Sequence, residues 1–152
     1  MILAKLTKNN GVELSDKKNT VILEGNEISL NSEKIASSGE YESAGIEIIY
    51  GENSALVVWE RIQIVSVFNN SEPTVFEKSQ FSSCDVLIFG TNELNKETAN
   101  SLIEAFDPKM IIFSDKSVND GLLTVLKAQT TTSVKLSEQA LSDEGREVFV
   151  LE

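Results

Sequence analysis

The sequence predicts an α/β (or α+β) protein in which helices pack on sheet. Three observations carry that expectation. The first two thirds of the chain are short apolar runs split by turn residues. Two continuous apolar runs, 85–89 and 110–113, are each followed by a stretch with apolar residues at spacings of three and four. The chain then closes on two more short strands. With 152 residues, 41% of them from the AVILMFWYC set, the chain has the size of one domain and enough apolar surface for a sizeable core. A single domain over residues 1–152 is therefore expected.

The elements follow in order. Ile2 to Leu6, Val12 to Leu14 and Thr20 to Glu24 read as strands. They are separated by Asn9-Asn10-Gly11, whose Asn-Gly pair is a strong hairpin signal, and by Asp16-Lys17-Lys18-Asn19. Ile28 to Leu30 and Lys34 to Ala36 are shorter strands after the Gly25-Asn26 break. Gly45 to Tyr50 and Ala55 to Trp59 form a hairpin about Gly51-Glu52-Asn53-Ser54. Arg61 to Phe68 alternates, with Ile62, Ile64, Ser66 and Phe68 on one face and Gln63, Val65 and Val67 on the other. Two apolar faces indicate a strand covered on both sides. Ser71-Glu72-Pro73 turns into a short helix over 75–80. Asn95 is placed to cap a helix whose Ala99, Leu102, Ile103 and Phe106 share a face, and Asp107-Pro108 stops it. Met110 to Phe113 is a buried strand, and 117–129 reads as a helix with Val118, Leu122, Val125 and Leu126 inward. Ser133 to Leu136 and Val148 to Leu151 are the final strands.

Composition excludes several chemistries. Lys and Arg number 13 against 24 Asp and Glu, a net charge of −11. Such a surface repels phosphate backbones and anionic membranes, so neither nucleic acid nor membrane is an expected partner. No apolar run approaches the ~20 residues of a membrane span, and the N-terminal run is too short for a signal peptide, so a cytoplasmic protein is expected. The chain contains no histidine and one cysteine, Cys84. Ser-His-Asp and Cys-His catalysis, His-containing zinc sites and Cys-rich zinc sites are all ruled out. An enzyme built on this chain has to use carboxylates, Lys, Ser, Thr or Tyr.

Three segments together resemble one family. Ser38-Gly39-Glu40-Tyr41-Glu42-Ser43-Ala44-Gly45-Ile46 resembles the Pro-Gly-Glu-Tyr-Glu-x-x-Gly-Val stretch of the UlaG-like branch of the metallo-β-lactamase superfamily. Residues 62–70 and Cys84-Asp85-Val86-Leu87-Ile88 are similar to that branch's strands around a Gly-Asp step and its Asp-Val-Leu. Residues 95–115, with Phe106-Asp107-Pro108-Lys109-Met110-Ile111-Ile112, resemble its helix and Pro-Lys-x-Val-Ile-Pro-x-His. The segments fall in the family's order from about Lys34 to the C-terminus. The resemblance implies an α/β fold, a truncated metallo-β-lactamase-like sandwich of two β-sheets with flanking helices.

The family holds two metals through a His-x-His-x-Asp-His loop, a later His, an Asp and a final His. None of those histidines is present, and the chain between Glu24 and Gly39 is too short to hold the loop. By the resemblance, Asn69 stands where a bridging carboxylate would be, Asp115 where the final His would be, and Ser66 near another His position. The resemblance therefore implies the fold and argues against the activity, since zinc activates water at neutral pH only within a complete ligand set.

Each candidate residue has a plainer reading beside the functional one. Asp115 follows a strand, where α/β proteins place ligands, and equally suits a helix cap. Glu40 and Glu42 share a strand face and can bind a hard cation or act as an acid–base pair, or can be solvated acids beside Gly39 with Tyr41 inward. Asn69-Asn70 lines the vestigial cleft or makes a turn. Cys84 lacks a basic neighbour and reads as an inert buried thiol. Ser37-Ser38-Gly39 and Gly90-Thr91-Asn92 lack phosphate-loop spacing. Tyr50 and Trp59 suit an interface anchor or ordinary packing.

The expectation is a non-catalytic, zinc-free pseudoenzyme, without cofactor or metal, acting in binding or assembly as a homo-oligomer or with a protein partner. The alternative is a divalent-metal phosphoesterase-like hydrolase with a carboxylate-only site built from Asp115, Glu40, Glu42 and Asp85.

Overall fold

Alternating burial along short strands generates the molecule, a computed structural model that describes residues 1–35, 39–68, 71–90, 95–114, 120–141 and 145–152. Five strands come first: β1 (Ile2–Leu6), β2 (Val12–Ser15), β3 (Thr20–Glu24), β4 (Glu27–Leu30) and β5 (Glu33–Ile35). They form an antiparallel meander in which every second residue points inward. Asn10 turns the first hairpin with φ 61°, a left-handed value that Asn tolerates. Gly11 follows it because a Cβ there would lie 2.5 Å from the Leu23 carbonyl oxygen.

The second sheet begins with β6 (Glu40–Ser43), β7 (Ile46–Tyr50), β8 (Ser54–Trp59) and β9 (Ile62–Val67), again antiparallel. The chain then changes character. Helix α1 (Val75–Gln80) leads into β10 (Val86–Phe89), α2 (Lys96–Phe106) into β11 (Met110–Phe113), and α3 (Asp120–Val125) into β12 (Gln129–Thr131). Strand β13 (Ser133–Leu136) crosses to the first sheet beside β1, and β14 (Glu147–Leu151) returns to lie parallel between β11 and β12. The orders are β13-β1-β2-β3-β4-β5 and β12-β14-β11-β10-β9-β8-β7-β6.

Two apolar clusters hold the layers. One lies between the sheets and joins Ile2, Val12, Val21 and Ile28 of the first to Ile48, Val57, Ile64, Ile88 and Ile112 of the second. The other lies on the outer face of the second sheet, where Val65, Leu87, Ile111 and Val150 meet Phe81, Ala99, Leu102, Ile103, Phe106 and Leu122. Strands β10 and β11 are buried at every residue because both their faces are covered, as their unbroken apolar runs require. The predicted split of 62–68 also holds: Ile62 and Ile64 enter the inter-sheet core with Phe68 against it, and Val65 and Val67 enter the helix-side core.

Helix α2 forms as the sequence indicates. Asn95 caps it by accepting the Thr98 N–H at 2.8 Å, and Asp107 ends it in the left-handed region with φ 44°. The helix expected over 117–129 is corrected. Residues 115–119 lie outside the described ones, α3 ends at Val125, and Val125 is 67% exposed rather than inward. Lys127 takes φ 56° and turns the chain back, so Gln129 enters a strand beside β14. The periodicity persists to Leu126, but the β-branched Thr130 and Thr131 pair with Val150 and Leu151 on the open edge of the sheet.

Candidate functional site

Strands β9, β10, β11 and β14 are parallel, so their carboxyl ends align on one edge. Open α/β sheets place ligands at such an edge. In the sequence, segments 69–70, 91–94 and 115–119 come after β9, β10 and β11, and all lie outside the described residues. Asn69 and Asp115 fall among them.

The described part of this edge is tightly bonded. Ser114 is buried, and both its N–H (3.1 Å) and its hydroxyl (3.3 Å) donate to the Phe89 carbonyl. Phe68 sits 5.9 Å from the Tyr50 ring, centroid to centroid. Tyr50 donates its hydroxyl to the Asn26 carbonyl at 2.9 Å, tying the first sheet to the second. Burial pushes the Tyr50 phenol above its ordinary pKa. Tyr50 and Trp59 are both buried in the inter-sheet core.

Beside this edge is a buried acid that sequence reasoning missed. Glu77 of α1 is fully buried. Its Oε1 accepts the Thr74 N–H at 2.7 Å, and its Oε2 accepts the Asn53 N–H at 2.9 Å and the Ser54 hydroxyl at 2.6 Å. Thr74 in return accepts the Glu77 N–H at 3.1 Å. The signal was present as Thr74-x-x-Glu77, the capping-box pattern. Glu77 thus pins the β7–β8 turn to the start of α1. Gly51 is required there because a Cβ would lie 2.6 Å from Glu77 Oε2.

The remaining candidates are not brought together. Ser66 is 2% exposed, opposite Ala55 and beside Ile88 within the inter-sheet core. Glu40 and Glu42 are exposed on edge strand β6, and Tyr41 on its other face packs against the inter-sheet core. They lie three strands from Ser66, about 14 Å at the usual strand spacing. They also face the opposite way, since Glu40 pairs with Ile49 on the helix side.

Asp85 stands at the far edge. Its Oδ2 accepts the Gln63 N–H at 2.8 Å, and its carbonyl accepts the Lys109 N–H at 3.0 Å. It precedes β10, whereas Asp115 follows β11. Asp85 thus lies at the amino end of β10, about 13 Å along the strand from the carboxyl edge. The carboxylate-only set of Asp115, Glu40, Glu42 and Asp85 is therefore not assembled by its described members. Strand order, not sequence spacing, decides this.

No family model matches the chain, and no curated protein matches it. Among solved structures, the chain is similar to a protein from Thermotoga maritima assigned as a Zn-dependent hydrolase of the metallo-β-lactamase superfamily. That match has a TM-score of 0.75, with 14% identity over 100% of both chains. The fold is of the metallo-β-lactamase type. It is the truncated two-sheet sandwich that the sequence predicts, with its described helices on one face of the larger sheet.

That similar protein is named for zinc, and the described donors of this chain do not fit a zinc centre. There is no histidine among the 152 residues. The single thiol, Cys84, is buried, and burial holds it far above the ordinary thiol range, so it does not supply a thiolate. Among the described residues no three of His, Cys, Asp or Glu come together in a way that holds an ion. No helix among them is long and apolar enough to cross a membrane.

Proposed function

We propose that this chain is a zinc-free metallo-β-lactamase-fold protein that acts by binding or assembly and not by hydrolysis. The observation that carries the reading is the complete absence of histidine in a fold whose hydrolytic members work through bound zinc. Oxygen donors alone do not recreate a site that brings zinc-bound water to a pKa near 7. The resemblance of residues 38–46 and 106–112 to the UlaG-like branch makes it a degenerate member of that branch. We further assign it to the cytoplasm, acting as a homo-oligomer or with a protein partner, on the grounds of its acidity and its single reduced thiol.

The test is the metal content of the purified protein, with calorimetric titration of Zn²⁺, Mn²⁺ and Mg²⁺. The expected result is no stoichiometric metal and no binding tighter than millimolar. Stoichiometric binding that Asp115→Ala abolishes, accompanied by phosphodiester hydrolysis, overturns the reading in favour of the carboxylate-only hydrolase.

A further inference from the structure

The end of the sandwich opposite the carboxyl edge carries a second feature. There, the turn over residues 16–19 and the N-terminus of the first sheet face the β6–β7 and β8–β9 turns of the second. Between them is a cavity of about 680 Å³. That is the size of an ordinary small-ligand site.

Its walls are apolar: Met1 and Leu3 on one side, Trp59 on the other. Trp59 is 3% exposed, and its indole N–H meets no acceptor among the described residues. Among the described residues no fully buried polar side-chain atom is left without a partner, so that N–H is not wholly enclosed, and Trp59 borders the cavity. The residue is held in place by a strained turn. Glu60 and Arg61 both take positive φ, 52° and 66°, where Asn-Gly is the usual pair, and this keeps Trp59 directly opposite Ile62.

The charge at the rim runs against that of the molecule. The Asp16 carboxylate is occupied by its own turn, accepting the Lys18 and Asn19 N–H groups at 2.8 and 2.7 Å. The Glu60 carboxylate is paired with the N-terminal amine at 3.1 Å. Lys17 and Lys18 remain, exposed and without an ion pair among the described residues. In a chain of net charge −11, this mouth is locally positive.

The geometry points to a binding site for a small aromatic carboxylate at this cavity, with its ring on Met1 and Leu3, an acceptor atom on the Trp59 indole N–H, and its negative charge toward Lys17 and Lys18. Apolar contact and a hydrogen bond fix orientation, and the lysines select the anion. The site is separate from the carboxyl edge and does not depend on the function proposed there.

Trp59 is the only tryptophan in the chain, so its indole N–H gives a single resonance. The experiment titrates naphthoate into the intact protein and follows that resonance. It is repeated with the neutral isostere naphthamide, and with the Lys17→Glu/Lys18→Glu protein. Both lysines are exposed, and a native amide spectrum confirms that the variant folds. The expected result is a saturable shift with naphthoate, weakened about tenfold or more by either change. An indole resonance that does not shift saturably with naphthoate overturns the proposal. So does equal affinity for naphthamide, or unchanged affinity in the double variant.

Discussion

Glu77 and Gly51 form a pair in which each residue explains the other. The carboxylate serves two backbone N–H groups and one hydroxyl, and Gly51 leaves it room. Glu77→Ala leaves those donors unpaired in a dry site and is expected to cost about 3 kcal/mol. Gly51→Ala forces a Cβ against the carboxylate and is expected to cost about 1–3 kcal/mol. The Gly51→Ala penalty is expected to shrink in the Glu77→Ala background, because the clashing group is gone. Urea unfolding of the four proteins of the cycle checks this; strictly additive penalties would contradict the contact.

Tyr50 supplies a second prediction at this scale. Burial raises its pKa in the folded state above the unfolded value near 10. Its contribution is then complete below about pH 10 and is lost as pH rises through the folded value, because the native state retains a proton that the unfolded chain has given up. Tyr50→Phe is expected to flatten the alkaline loss of stability, at a cost of about 1 kcal/mol at neutral pH from the missing bond to Asn26. Urea midpoints at neutral and strongly alkaline pH measure both effects.

At the scale of elements, the acids of β6 gain a different meaning from the catalytic one. β6 is the outer strand of the eight-stranded sheet. Glu40 and Glu42 are exposed on it, and Glu42 stands opposite Glu47. A second copy pairing edge to edge would bring like charges together, which is how natural sheets block aggregation. The Glu40→Val/Glu42→Val protein is expected to aggregate measurably faster at equal concentration by light scattering, while the parent stays clear. The same scale explains α3. Its apolar spacing is helical, yet the open sheet edge beside β14 takes Gln129 to Thr131 into a strand.

For the whole molecule, the decisive relation is between fold and composition. The chain shares its fold with a protein assigned as a Zn-dependent hydrolase, and it contains no histidine. Two apolar clusters hold the layers together. They lie between the sheets and under the helices. As a consequence of the metal-free reading, prolonged treatment with a chelator is expected to leave the melting temperature unchanged.

The sequence by itself determined the class, the strands β1 to β5 and β7 to β11, the two faces of β9, the Asn95 cap and the lack of histidine. These are local or compositional properties: burial period, turn residues and the count of donors do not depend on what packs against what. The tertiary structure alone decided that Asp85 is separated from the carboxyl edge, that Ser66 is enclosed in the core, that Glu77 anchors a distant turn, and that Lys17, Lys18 and Trp59 border one cavity. Each of those depends on strand order and direction between residues far apart in the chain, and no short-range pattern encodes which strands become neighbours.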